Sequence, residues 1–168
     1  MALQTIDVDQ HLFESRTTWS DYIEPAHRDD ALVIADDEAG WPWLTWRGER
    51  LTPIEVPIPE RSSLIGDDRL RRLRGEHAPA SFDELVPDSY RLAAGRLASL
   101  DGFGLDAAVL FPNYGLLWEQ RLAADREAQR ANARAYNRFT ADVCGDGQGR
   151  LFGVAHVLLH DPAWAVEE

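Results

Sequence analysis

The chain has 168 residues, 45% hydrophobic and 27% charged, which fits one globular domain with a sizeable core. Its formal net charge is −12 and all 17 basic residues are arginine, so it lacks the positive surface that nucleic-acid binding needs. No apolar run approaches the roughly 20 residues that cross a membrane, and the start, MALQTIDVDQH, lacks a secretory signal pattern. Together with the single cysteine, Cys144, these features favour a cytoplasmic location.

The first predicted strand covers residues 3–9, and polar side chains recur there at every second position: Asp7, Asp9 and His11. Residues two apart in a strand point to the same side, so this spacing predicts that the three side chains share one face. A carboxylate and an imidazole so placed can bind one zinc, manganese or iron ion. A hydrogen-bonding role for the histidine is the alternative that the local pattern leaves open.

An insertion is predicted over residues 31–88. Its first part, 31–52, has β-branched residues and two turn clusters, which predict a small β-hairpin sheet with tryptophans packed on it. Its second part, 53–88, is irregular and rich in proline apart from a helical patch near 67–75, so we expect a segment that acts as a lid. The arginines of RLRRLR, at 69–74, fit a solvated helix face better than an anion site.

The rest of the chain alternates between helix and strand. The predicted elements are a helix at about 90–101, a strand at 106–112, a helix at about 121–143, a strand at 150–159 and a helix that opens at 161. Such alternation predicts an α/β fold with a parallel sheet. Because the last helix has only begun at Glu168, we expect the chain to be the N-terminal part of a longer protein.

Reactive side chains in such folds collect where the strands end. Three segments of this chain follow a predicted strand in that way: Asp9 with His11, FPNYG at 111–115, and His160 with Asp161.

Three residues in these segments are candidate substrate-binding residues. Asn113 and Tyr114 can donate hydrogen bonds to a substrate, and shaping a turn is their alternative role. His160 follows the last predicted strand, where an imidazole can contact substrate. His156, predicted in the middle of that strand, fits a hydrogen-bonded core residue better.

Three stretches of the chain are similar to segments of a known protein family: IDVDQHLFES with YIEPAHRD, RLASLDGFGLDAAVLFPNYGL, and ARAYNRFTADVCGDGQGRLFGVAHVLLHDPAWAVEE. In this order they resemble the amidohydrolase-related family that includes aminocarboxymuconate-semialdehyde decarboxylase. The resemblance leaves out the segment at about 36–87. It implies a metal-dependent (β/α)8 TIM barrel, of which this chain would form a part: about three parallel strands, with the small sheet and the proline-rich segment inserted.

The resemblance also implies a metal site. Family members hold one divalent ion, often zinc, through a pair of residues on the first strand, histidines of the fifth and sixth strands and an aspartate of the eighth. Asp9 and His11 match the first-strand pair, and Asp7 would support them by hydrogen bonding. The hard oxygen of Asp9 leaves zinc, manganese and iron open as the metal. The other ligands and the catalytic base of the family have no match in this sequence.

The function implied is that of the N-terminal part of an enzyme that hydrolyses C–N or C–O bonds of a small-molecule substrate through metal-activated water. Two alternatives stay open: a metal-dependent decarboxylase of aromatic or dienoic acids, and a truncated α/β module without catalysis. Because three strands cannot close a barrel of eight, we expect exposed strand edges and a homo-oligomer. With two metal ligands, the chain by itself is expected to bind metal weakly and catalyse little.

Overall fold

The computed structural model describes residues 5–38, 42–55, 74–76, 82–115 and 118–168. Within these ranges the strands form two three-stranded sheets. The parallel sheet has β5 (Ala107–Pro112) at its centre, between β1 (Ile6–Leu12) and β6 (Leu151–Gly153). The antiparallel sheet consists of β2 (Leu32–Asp36), β3 (Pro42–Trp46) and β4 (Glu49–Glu55), with β3 at its centre.

The helices of the described residues range from one turn to more than five turns. They are α1 (Thr18–Tyr22), a 3₁₀ helix (Pro25–Asp30), α2 (Phe82–Leu85), α3 (Asp88–Arg91), α4 (Ala93–Phe103), α5 (Arg126–Gly145) and α6 (Pro162–Glu167). The long helix α5 begins after Asp125, whose side chain accepts a hydrogen bond from the Ala128 N–H. Helix α4 ends at Gly104, which adopts a left-handed conformation with φ of 69°.

Helices α4 and α5 bury their apolar side chains against the parallel sheet. Leu97 and Leu100 of α4 and Phe139 of α5 form one cluster with Ala108 and Leu110 of β5. Both helices therefore bury one apolar face on this sheet. The predicted α/β fold with a parallel sheet is therefore present in this part of the chain.

The antiparallel sheet is attached to the same long helix through a buried amide. Asn132 of α5 donates to the carbonyl of Asp30 and accepts from the N–H of Leu32, at 2.8 Å in both bonds. Leu32 and Ile34 of β2 and Leu44 of β3 then pack in a second cluster around Trp19. The small sheet predicted at 31–52 is thus present, and helix α5 joins it to the parallel sheet.

Several predicted boundaries are wrong. The helix predicted at 90–101 is divided at Leu92, whose extended backbone separates α3 from α4. Strand β6 ends at Gly153 instead of 159, because the backbone of His156 hydrogen bonds to the Asn137 side chain in place of a neighbouring strand. Helix α5 begins at Arg126 instead of 121, because turns occupy the preceding residues.

Two predictions fall largely outside the described residues. The proline-rich segment predicted as a lid at 53–88 is described only at 53–55, 74–76 and 82–88. Of the arginines at 69–74, the structure describes Arg74. No helix in the described ranges is long and apolar enough to cross a membrane.

Candidate functional site

Strand β1 contains a bulge that changes which side chains share a face. Between Asp7 and Gln10, β1 has two residues where its partner β5 has one, Val109. The side chains of Asp7 and Gln10 are hydrogen bonded, with 3.0 Å between Gln10 Nε2 and Asp7 Oδ2. Residues three apart in a regular strand point to opposite sides, so the bulge turns Asp7 toward Gln10. The expectation that Asp7 lies on one face with Asp9 and His11 is therefore wrong.

The buried Arg96 side chain of α4 holds this bulge from the helix side. Its guanidinium donates to Gln10 Oε1 at 3.0 Å, to the His11 carbonyl at 2.6 Å and to the Tyr90 carbonyl at 3.0 Å. Burial lowers the pKa of Arg96, and the nearby Asp7 acts in the opposite direction. The hydrogen bond from Gln10 is the main cause that lowers the pKa of Asp7. The Arg96 guanidinium thus holds the His11 carbonyl, and Gln10 bridges Arg96 and Asp7.

His11 is half-buried near the end of β1, and its ring has a defined orientation. Its Nδ1 lies 2.9 Å from the carbonyl oxygen of Pro112, at the end of β5. Because a carbonyl oxygen only accepts, Nδ1 carries the proton, and Nε2 of the neutral ring keeps its lone pair. Metal-binding histidines are commonly oriented in this way, with one nitrogen bound to a carbonyl and the other on the metal.

Asp9 supplies an exposed carboxylate two residues before His11 on the same strand. The Asp9 N–H donates to Asp7 Oδ1 at 3.0 Å, so the bulge also fixes the backbone of this residue. Over the described ranges, no group of three or more His, Cys, Asp or Glu side chains is placed to hold a metal ion. The part of the chain that the structure describes therefore offers a pair of candidate ligands, and a complete site needs others.

Glu14 is a buried residue of this region that the sequence analysis did not select. Its Oε1 accepts from the N–H groups of Asn113 at 3.3 Å and Gly115 at 2.9 Å, and its Oε2 accepts from Tyr114 N–H at 2.8 Å. The carboxylate thereby accepts hydrogen bonds from the backbone N–H groups of the turn that directly follows β5. The sequence signal that could have identified Glu14 is its position directly after the apolar Leu12 and Phe13.

Burial dominates the protonation of Glu14. Removal from water raises the pKa of its carboxyl from 4.5 to about 7, although the three N–H groups favour the ionised form. The acid therefore titrates near neutral pH inside the fold.

The candidate substrate-binding residues occupy three different environments. Asn113 is partly exposed directly after β5, and its backbone is held by Glu14. The Tyr114 side chain is buried against Phe13 and Phe82, with ring centroids 5.5 and 5.6 Å away, and burial raises the pKa of its phenol. His160 is exposed after β6, with Nε2 3.1 Å from Gln129 Oε1. Their contact with substrate stays a prediction.

The buried His156 is hydrogen bonded to the half-buried Glu119. Its Nε2 lies 2.7 Å from Glu119 Oε1, and its ring stacks on Trp118 at a centroid distance of 5.0 Å. This hydrogen bond is the main cause that lowers the pKa of Glu119. A hydrogen-bonded core histidine is confirmed, but the residue follows β6 instead of lying within a strand. The pair connects the segments that follow β5 and β6.

Comparison with known proteins adds information about the fold. No protein-family model and no curated protein sequence matches this chain. Among solved structures, it is similar to the crystal structure of an amidohydrolase from Mycobacterium avium subsp. paratuberculosis K-10, with a TM-score of 0.70 and 23% sequence identity. The similarity covers 99% of this chain and 46% of that chain, so the chain spans about half of the length of that amidohydrolase. The chain therefore has an amidohydrolase-like α/β fold, with one parallel and one antiparallel sheet.

Proposed function

We propose that this chain forms part of a metal-dependent hydrolase of the amidohydrolase type, in which Asp9 and His11 bind a divalent metal ion. The observation that supports this most is the hydrogen bond from His11 Nδ1 to the Pro112 carbonyl, which leaves Nε2 for coordination. The amidohydrolase-like fold and the position of the pair near the end of a parallel strand support the same function.

The residues of the proposed site have two roles, metal binding and substrate contact. Asp9 would contribute a negatively charged oxygen ligand, and His11 a neutral nitrogen ligand that the Pro112 carbonyl keeps in one tautomer. A metal bound there, with zinc preferred over manganese or iron, would supply Lewis-acid activation of water for hydrolysis of a C–N or C–O bond. Asn113 and His160 have the exposure needed to contact a small-molecule substrate.

We further propose that the parallel sheet is part of a (β/α)8 barrel, with this chain as its N-terminal portion. Strand order β1-β5-β6, with helices connecting successive strands, is the arrangement of consecutive βα units. In such a barrel the missing metal ligands and the base would come from further strands. The site would therefore be complete only when those strands are present.

Zinc titration of the purified chain tests the metal site. We expect the natural chain to bind zinc weakly at one site. In an Asp9→Ala, His11→Ala variant the zinc affinity should fall at least about tenfold, because both ligands are lost. The matched control is His27→Ala, Asp29→Ala, which removes the same two residue types from outside the strand and leaves zinc affinity unchanged. Equal zinc affinity in all three proteins would contradict the proposal.

The type of reaction is tested on the protein in its complete natural form, loaded with zinc. Hydrolysis of amide or ester substrates, lost in the Asp9→Ala, His11→Ala variant, is the expected result. Release of carbon dioxide from aromatic or dienoic acids without hydrolysis would instead assign a decarboxylase. Loss of either activity in the variant would assign the chemistry to the same pair.

A further inference from the structure

Glu14 connects two segments that meet at His11. It lies on the chain three residues after His11, and its carboxylate accepts hydrogen bonds from the N–H groups of residues 113–115. These residues directly follow Pro112, whose carbonyl holds the imidazole of His11. The position of that carbonyl therefore depends on a turn that the Glu14 side chain holds.

The turn fits tightly against the carboxylate. A Cβ atom added at Gly115 would lie 2.8 Å from Glu14 Oε1 and 3.5 Å from the Trp19 ring. Glu14 itself is completely buried, so its carboxylate has no solvent to turn toward. Any change in its position is transmitted to the backbone of the turn, because the turn and the acid are in direct contact.

Burying a carboxyl group costs free energy unless its oxygens are hydrogen bonded, and an apolar side chain here would leave the three N–H groups of the turn without an acceptor. Three backbone N–H groups that converge on one side chain can be satisfied by carboxylate oxygens, whereas an amide presents N–H groups on one of its two ends. The site thus requires two acceptor atoms.

We propose that Glu14 is a positioning residue for His11: its buried carboxylate fixes the turn at 113–115 so that the Pro112 carbonyl holds His11 in the tautomer with a proton on Nδ1. The role in metal binding rests on the proposed function. The orientation of the imidazole is a property of this chain with or without metal, so the two can be tested separately.

The test is the tautomer of His11, read from long-range ¹H–¹⁵N spectra of the metal-free protein at about pH 8, where an ordinary imidazole is neutral. We expect the natural chain to show a proton on Nδ1. In Glu14→Gln the side-chain NH2 group would face the backbone N–H donors of the turn and displace it. We therefore expect His11 to show a mixture of the Nδ1-protonated and Nε2-protonated tautomers. The same variant should lose about tenfold in zinc affinity, the usual effect of removing support from a metal ligand.

Two further variants separate positioning from general loss of stability. Thr45→Val removes the bond from Thr45 Oγ1 to the Val33 carbonyl in the antiparallel sheet, so it lowers stability without changing the His11 tautomer. Gly115→Ala places a methyl group against Glu14 Oε1 and should push the turn away from the carboxylate. It should therefore reproduce the Glu14→Gln spectrum, which keeps the test valid if Glu14→Gln does not fold.

The outcomes distinguish this proposal from the proposed function. An unchanged His11 tautomer in Glu14→Gln or in a folded Gly115→Ala would overturn the positioning role. A tautomer change in Glu14→Gln, together with a natural chain that binds no zinc, would support positioning while refuting the metal site. If Thr45→Val shows the same tautomer change, the positioning role would also be overturned, because the tautomer would then depend on the stability of the fold alone.

Discussion

At the scale of single residues, the region around His11 is organised by buried polar groups with partners on other elements. Arg96 of α4 reaches the carbonyl of His11, and Glu14 reaches the turn after β5. Both groups bond to the backbone of segments far along the chain, which fixes the geometry that a single strand could not fix by itself.

The raised pKa of Glu14 predicts a specific pH dependence of stability. Its pKa is about 7 in the fold against 4.5 as the ordinary value, so the folded state binds the proton more tightly. Stability from this group is therefore full below about pH 4.5, falls as the pH rises to about 7, and stays constant above that. The rise of the pKa from 4.5 to about 7 corresponds to a loss of about 3 kcal/mol across this pH range.

Urea unfolding at about pH 5 and about pH 8 measures this effect when the natural chain is compared with Glu14→Gln, which cannot titrate there. The free energy of unfolding of the natural chain should decrease, relative to the variant, toward the higher pH. A relative increase would mean that the three N–H groups outweigh burial and keep the carboxyl ionised.

The sequence allowed part of this residue-scale description to be predicted. The spacing of Asp9 and His11 indicated the candidate pair, because strand periodicity is local. The bulge that removes Asp7 from that face depends on the pairing of β1 with β5, about a hundred residues away in sequence, and no local pattern reveals it. For Glu14 the position after two apolar residues was a local signal, but its role depends on three donors in the distant turn.

At the scale of elements, α5 is the central connector of the fold. Asn132 near its beginning bonds to the backbone on both sides of the start of β2. Further along the helix, Asn137 bonds to both backbone groups of His156, at 2.6 and 3.0 Å. Two amides on one helix thus place both the antiparallel sheet and the segment after β6.

Replacing Asn132 with aspartate should destabilise the fold strongly. The Asn132 Nδ2 group donates to the carbonyls of Asp30 and Ala128, and a carboxylate would place an acceptor against these two acceptors in the core. We expect a loss of about 3 kcal/mol in the free energy of unfolding, measured with urea at neutral pH. The exposed Gln120→Glu makes the same change of charge and should cost less than about 0.5 kcal/mol. Equal effects of the two substitutions would contradict this role of Asn132.

The elements themselves were largely predictable. Apolar residues four apart in α5, and the proline and aspartate at the start of α6, are local signals that the structure confirms. The early end of β6 was not predictable, since the apolar run at 150–159 continues past Gly153. The contacts of His156 with Asn137 and Glu119 stop the strand, and both partners lie far away in sequence.

At the scale of the whole molecule, the parallel sheet exposes apolar side chains on its outer strands. Ile6 and Val8 of β1 are 47% and 64% exposed, and Phe152 of β6 is 53% exposed. Apolar side chains on open strand edges favour association. The α/β class followed from the alternation of strand and helix, whereas no local pattern indicated which apolar side chains stay exposed on this sheet.

We therefore expect the chain to associate with itself in a concentration-dependent way, measured by sedimentation velocity. Added salt should strengthen the association, because it screens the net charge of −12 on each copy. A Val8→Gln, Phe152→Gln variant should sediment as a smaller species, while Phe103→Gln, at the end of α4, should behave like the natural chain. A natural chain that stays monomeric at every concentration and salt level would contradict this expectation.

The most direct test of the central claim is the effect of zinc on the ¹⁵N signals of the His11 ring. The account predicts that zinc shifts the Nε2 resonance strongly, while Nδ1 keeps its proton and its bond to the Pro112 carbonyl. The shift should disappear in Asp9→Ala at the same zinc concentration. A ring whose Nε2 does not respond to zinc, or a response confined to the other histidines, would contradict a metal site at Asp9 and His11.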